Sequence, residues 1–234
     1  MKSFMERMKD IFGTGYESAP EVNDRKKETD KSSFNPDFLS LAKKRRSIYK
    51  LGSKITLSQH EIGKIVESAV KHAPSAFNSQ SSRVVILFSK EHAILWSMTR
   101  EKLRKLVSPE EFESTAERIN SFANAAGSIL FFEDQVTVKN LQEQYPSYSD
   151  SFPVWSEQSS GMAQYAVWMA LTEKGIGANL QHYNPLIDEE VHAGWNVPLS
   201  WKLRAQMNFG VILKYPEEKD YMLDNQRFII PGRN

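Results

Sequence analysis

Between residues 58 and 74, apolar side chains recur at Ile62, Ile65, Val66, Ala69 and Val70, the three-and-four spacing of a helix that buries one face. Ser58 and Glu61 supply a capping box at its start, and Pro74 stops it. An earlier helix opens where Asn35 caps and Pro36 takes the first helical position, with Phe38, Leu39, Leu41 and Ala42 as its apolar side. The period then changes. Residues 84–88 and 127–133 are continuous β-prone runs, long enough for strands buried on both faces. Ser108-Pro109-Glu110-Glu111 opens a further helix carrying Phe112, Ile119 and Phe122. Met162, Tyr165, Ala166, Met169 and Ala170 mark another, from about Ser156 to Lys174, which Gly175 ends. Residues 176–181 and 206–213 read as strands, 188–195 as a helix, and 224–230 as a strand with no evident partner in the sequence. The Tyr-, Ser-, Pro- and Gln-rich stretch 140–155 reads as a lid. Helices alternating with internal strands predict an α+β domain around a mixed sheet, without internal repeats.

Ahead of this domain, which spans 35–234, residues 1–34 form an arm. Phe4, Met5, Met8, Ile11 and Phe12 fall on one helical face, and residues 17–33 are polar, charge-mixed and linker-like. The chain of 234 residues carries 30 basic and 29 acidic side chains, a formal charge of +1, so no global field recruits nucleic acid or an anionic membrane. The absence of cysteine excludes disulfides, thiolate nucleophiles and thiolate metal sites, and fits a cytoplasmic protein. No run reaches the length of a membrane span.

The five histidines, at 60, 72, 92, 182 and 192, do not follow zinc-helix spacing, and no serine sits in a Gly-x-Ser-x-Gly elbow. Neither a Gly-x-Gly-x-x-Gly fingerprint nor a P-loop occurs. Two clusters carry candidate chemistry. Lys43-Lys44-Arg45-Arg46-Ser47, on position alone, fits solvated basic residues facing a helix dipole; Ser47 and Tyr49 beside the guanidinium groups add the donors of a phosphate anchor. In 73–83, Ser75, Asn78 and Gln80 either satisfy a turn or read the carbonyl and imide edge of a flat heterocycle. Together the clusters point to a bound flavin nucleotide.

Five segments carry a resemblance: Lys44-Arg45-Arg46-Ser47-Ile48-Tyr49, the loop from Ala73-Pro74-Ser75 to Arg83, Gly127-Ser128-Ile129-Leu130-Phe131-Phe132-Glu133-Asp134, Gly177-Ala178-Asn179-Leu180-Gln181-His182-Tyr183-Asn184, and Gln226-Arg227-Phe228. In order and spacing they cover nearly all of 36–230. The chain resembles the nitroreductase superfamily of FMN flavoproteins, and within it the small fatty-acid-repression type that includes copper-induced bacterial members.

The resemblance implies a three-layer α+β sandwich, with a mixed, mainly antiparallel sheet flanked by helices. It further implies an obligate homodimer that exchanges its C-terminal arms and binds one FMN at each of two interface sites. By matched position Arg45, Arg46, Ser47 and Tyr49 hold the ribityl phosphate, joined by Arg227 from the C-terminus. Ser75, Phe77, Asn78 and Gln80 reach the flavin of the partner subunit; Gln181, His182 and Tyr183 lie along the isoalloxazine, and Gln142 joins from the lid. The implied activity is ping-pong: NADH or NADPH reduces FMN, and a small nitroaromatic or quinone then accepts the electrons, with no dedicated catalytic acid or base. From a different class, a flavin-binding stress-response or regulatory protein with incidental turnover fits the same residues.

Overall fold

The computed structural model describes residues 36–232; the expected N-terminal helix and linker lie outside them. Helix α1 (Pro36–Lys44) ends on Lys43 and Lys44 and leads into strand β1 (Lys50–Gly52). Helix α2 (Gln59–Lys71) has the anticipated capping box, with the Glu61 N–H donating to Ser58 Oγ and Glu61 Oε2 accepting from the Ser58 N–H at 2.8 Å. Strand β2 (Ser82–Phe88) runs straight into α3 (Ser89–Arg104), followed by α4 (Pro109–Ala123) and β3 (Gly127–Asp134). Then come α5 (Gln135–Gln144), α6 (Phe152–Glu173), β4 (Ile176–Gln181), α7 (Asp188–Trp195), β5 (Trp201–Lys214) and a single helical turn, α8 (Asp224–Arg227).

The five strands form one sheet in the order β1, β5, β3, β2, with β4 also on β5, and every pairing of named strands is antiparallel. β3 is buried at all eight positions because helices cover both faces. Ile129 and Phe131 point with Ala205, Met207 and Phe209 toward α2 and α6, against Ile62, Val66, Val167 and Leu171. Leu130 and Phe132 point the other way with Leu87, against Leu95 and Trp96 of α3, Ile119 and Phe122 of α4 and Val191 of α7. This is the three-layer sandwich expected. A register shift at Phe131/Phe132 lets Leu203 join one layer while Ala205, two residues on, joins the other.

Several elements differ from the sequence expectation. Residues 224–230 are not a strand: α8 occupies the first four, and its carbonyl of Asp224 accepts from the Phe228 N–H at 2.8 Å. The lid of 140–155 is mostly helical, made of the end of α5, a turn at Pro146–Tyr148 and the start of α6. Helix α3 carries no side-chain cap and begins at once after β2, so no start signal announced it. β5 begins five residues earlier than its apolar run, where pairing with β3 rather than hydrophobicity extends it.

One ionisable side chain is enclosed between α3 and the sheet. His92 is 2% exposed, with Nδ1 2.9 Å from Ser128 Oγ and Nε2 3.1 Å from the Phe122 carbonyl oxygen. Burial pushes its pKa down from 6.5 to about 4, against the raising effect of the backbone carbonyls. The unfolded chain therefore takes up a proton between these pH values that the folded chain refuses. The resulting stability is whole above pH 6.5 and is lost as pH falls toward 4, about 3 kcal/mol over the full window. Urea unfolding between pH 7 and 4.5 is expected to show a shallower decline for His92→Asn than for wild type; parallel declines would contradict the burial effect.

Candidate functional site

The turn after α1 lies along the outer edge of β4. Ser47 bridges Ala178 in parallel, and the Ile48 N–H donates to the Ala178 carbonyl at 2.9 Å. Asn179 completes the attachment: its Nδ2 donates to the Ile48 carbonyl at 2.8 Å. Its Oδ1 accepts from Gln181 Nε2 at 2.9 Å and from Asn208 Nδ2 at 3.1 Å. Behind it, Ser128 Oγ donates to Asn208 Oδ1 at 2.9 Å and accepts from Trp96 Nε1 at 3.0 Å. Asn179, Asn208 and Ser128 are all buried, so a fully partnered polar chain crosses the sheet and ends at the turn. Glycine makes the close approach feasible: a Cβ at Gly177 would stand 2.7 Å from Ile212 Cγ1 and 2.9 Å from Leu51 Cδ2.

This attachment lays the 45–49 turn along β4, with Tyr49 lining one cavity together with Gln181 and Arg46 lining another together with Ile48 and Ala178. The Arg45 guanidinium lies 4.6 Å over the Trp168 ring, and Arg46 Nη2 donates to the Glu217 carbonyl at 2.8 Å. Tyr49 is 54% exposed, and with Gln181 it lines a cavity of about 530 Å³ shared with Lys50, Ser114, Arg118 and Ser121. Arg118 and the two serines were not singled out in the sequence. They form the polar side of α4, whose apolar side was legible, and only the packing of α4 beside β1 turns that side into a wall. His182 is exposed. The Tyr183 ring instead turns into the core, 5.7 Å from Trp96, where burial raises its phenol pKa. Its backbone N–H donates to Gln206 Oε1 at 2.7 Å.

The loop after α2 forms a second group. Phe77, Asn78 and Gln80 all have left-handed backbones, at φ of 55°, 50° and 47°, a conformation that costs non-glycine residues energy and concentrates at functional sites. Ser75 holds the loop: its carbonyl accepts from the Asn78 N–H and its Oγ from the Gln80 N–H, both at 3.0 Å. Phe77 is 51% exposed yet packs against Tyr145, Phe152 and Trp155 with ring centroids 4.9, 5.4 and 6.0 Å away. Gln142 Nε2 donates to the Ser149 carbonyl at 2.9 Å, closing the turn that carries those rings. Ser75 and Gln80 line a separate hollow of about 390 Å³ with Lys71, Arg83, Ser159 and Trp201. Within one chain, the loop and the 45–49 turn share no hydrogen bond among the described residues. Arg227 sits on the exposed C-terminal segment, its guanidinium 5.7 Å over Phe228.

The donor set fits a flavin mononucleotide. Arg45, Arg46 and the Ser47 hydroxyl match a phosphate, and Gln181, Tyr49 and Arg118 around the larger cavity match the polar edge of a flat ring system. Among the described residues no group of three or more His, Cys, Asp or Glu is placed to hold a metal ion. The pattern of one protein family, the nitroreductases, matches residues 42–211. This chain belongs to the nitroreductase family. The nitroreductase CinD of Lactococcus lactis, solved in complex with chloramphenicol, is 45% identical; its match covers 83% of this chain and all of CinD at a TM-score of 0.77. CinD has also been solved with 4-nitrophenol. The nitroreductase FRM2 of Saccharomyces cerevisiae is 30% identical over 188 residues, 80% of this chain and 93% of FRM2. A nitroreductase of Desulfitobacterium hafniense with bound FMN shares the fold at a TM-score of 0.60 and 18% identity, over 82% of this chain and 96% of that one.

In this nitroreductase the Asn179 amide carries the attachment of the turn. Asn179→Leu leaves the Ile48 carbonyl and an Asn208 N–H buried and unpaired, at roughly 1–3 kcal/mol for each. Urea unfolding of the variant is expected to show a loss of roughly 2–6 kcal/mol over the two groups, whereas wild-type stability would mean that the polar chain does not hold the turn.

Proposed function

We propose that this nitroreductase is an FMN-dependent NAD(P)H oxidoreductase of the small fatty-acid-repression type, reducing nitroaromatic or quinone-type acceptors as a cytoplasmic homodimer. The observation that carries the reading is the attachment of the Arg45–Arg46–Ser47 turn along β4, whose last residue, Gln181, walls a cavity with Tyr49 and Arg118. Bound there, FMN supplies two-electron redox chemistry, filled by NADH or NADPH and drained by the acceptor in ping-pong order.

The chain's own residues bind, orient and neutralise. Arg45 and Arg46 hold the phosphate through charge-assisted hydrogen bonds, which requires Arg46 to release the Glu217 carbonyl or share its second nitrogen. Gln181, oriented by Asn179, and Tyr49 read the polar ring edge. Arg118 contributes fixed positive charge where negative charge develops on reduction, and so favours the reduced state by preorganised electrostatics. The exposed His182 borders the same strand end, and Tyr183 contributes backbone position rather than its ring.

A homodimer accounts for apolar surface that one chain leaves open. Val154, Met162 and Tyr165 of α6 are exposed, as are Tyr221, Met222, Leu223, Phe228, Ile229 and Ile230 of the C-terminal segment, Ile229 at 92%. An arm laid over a second subunit buries these side chains and carries Arg227 toward the partner's phosphate anchor. Dimerisation also gives the loop at Ser75, Phe77, Asn78 and Gln80 a ligand to close on, in the other subunit's site. The chloramphenicol and 4-nitrophenol complexes of CinD support nitroaromatics as the acceptor class, and a cytoplasmic location suits a nicotinamide donor.

Purified protein is expected to retain FMN and to couple NADH or NADPH oxidation to reduction of 4-nitroquinoline N-oxide; bound flavin that neither nicotinamide reduces would defeat the enzymatic reading. Arg45→Ala and Arg227→Ala should each weaken FMN binding by roughly ten- to a hundredfold, the worth of one charged hydrogen bond. Unchanged flavin affinity in a fluorescence titration would remove that arginine from the phosphate role.

A further inference from the structure

β3 carries a carboxylate in the middle of the molecule that neither flavin binding nor the fold requires. Glu133 is fully buried, and three serine hydroxyls donate to it: Ser81 and Ser156 to Oε2 at 2.5 and 2.7 Å, and Ser82 to Oε1 at 2.5 Å. Among the described residues it joins no ion pair; the neighbouring guanidinium of Arg83 goes to Asp134 instead, at 3.0 Å. An apolar residue at such a position would serve packing as well or better, because a buried charge must recover its lost hydration from local hydrogen bonds alone. What distinguishes Glu133 is where its three donors come from.

Ser81 and Ser82 follow Gln80 directly and are the exit of the strained loop. Ser156 follows Trp155 directly, in the first turns of α6. Those two segments carry the facing rings: Phe77 and Trp155 lie 6.0 Å apart and only 21° from parallel, with Phe152 and Tyr148 beside them. We propose that Glu133 is a positioning residue for the acceptor site: its carboxylate ties the loop exit to the start of α6 and so holds Phe77 and Trp155 as one aromatic wall. The tie uses directional hydrogen bonds because the loop's left-handed residues would otherwise relax, and the exposed ring of Phe77 would move with them. The link to acceptor binding rests on the function proposed above. The mechanical link does not, and it is testable in ligand-free protein.

Amide hydrogen exchange read by mass spectrometry on wild type, Ser82→Ala, Ser156→Ala and the double variant separates the cases, with the β3 amides as the control for global stability. Ser156 lies on a different element from the loop, yet Ser156→Ala should speed exchange at residues 76–80 on the order of tenfold, as Ser82→Ala does, and the double variant should add little. Wild-type loop exchange in Ser156→Ala, or effects that simply add, would overturn the tie. Flavin-loaded Ser156→Ala should also raise the KM for a nitroaromatic several-fold while the rate of flavin reduction by NADH holds. Coupled exchange with an unmoved KM would overturn the acceptor role, and a wild-type protein that binds no flavin would defeat the function while leaving the exchange result to judge the tie.

Discussion

The Asn179 side chain donates to the carbonyl of Ile48 and accepts from both Gln181 and Asn208, and the site is arranged around these three bonds. A short basic turn after a helix has no intrinsic reason to adopt one path, since its charges favour solvent in many directions. Here a buried amide whose nitrogen and oxygen are both hydrogen-bonded favours one path, along β4. The same side chain orients Gln181, so the 45–49 turn and the cavity wall at Gln181 share one reference point. Ser128 and Trp96 extend that reference through the sheet to α3, which makes the outer helical layer a support for the site rather than mere cover.

The proposed homodimer would make each chain carry halves of two sites. The 45–49 turn and the 75–80 loop are separate features of one chain, and each is partly exposed, the turn chiefly at Tyr49 and the loop at Phe77, Asn78 and Gln80. The apolar C-terminal segment and the exposed side chains of α6 supply the surface that the proposed second subunit would cover. A cavity closed on assembly would suit the proposed function, in which the cofactor stays bound while two different substrates come and go.

The periodic and continuous apolar runs made the layers legible: α2, β3 and α6 bury the faces that their spacing marked. The basic turn and the loop after α2 stood out as candidate sites from residue type, because guanidinium groups beside hydroxyls, and amides crowded after a helix stop, are chemically specific. What escaped was set by tertiary context. Arg118 stands on an ordinary polar helix face, and only α4 packing beside β1 gives it a cavity. Tyr183 reads as a site residue beside Gln181 and His182, but past the end of β4 its ring packs against Trp96 and Phe122 in the layer of α3 and α4. Helix α3 lacks a cap, and the C-terminal strand pattern of 224–230 finds no strand to pair with in its own chain, so it takes a helical turn.

The central claim is that the Arg45–Arg46–Ser47 turn anchors a phosphate while Tyr49, Arg118 and Gln181 take the ring. It is tested most directly by titrating flavin-stripped protein with FMN and with riboflavin, which differ only by that phosphate. One FMN should bind per chain, and riboflavin should bind on the order of a thousandfold more weakly, as expected for the loss of two charged hydrogen bonds. Equal affinity for the two flavins, or no binding of either, would contradict the account.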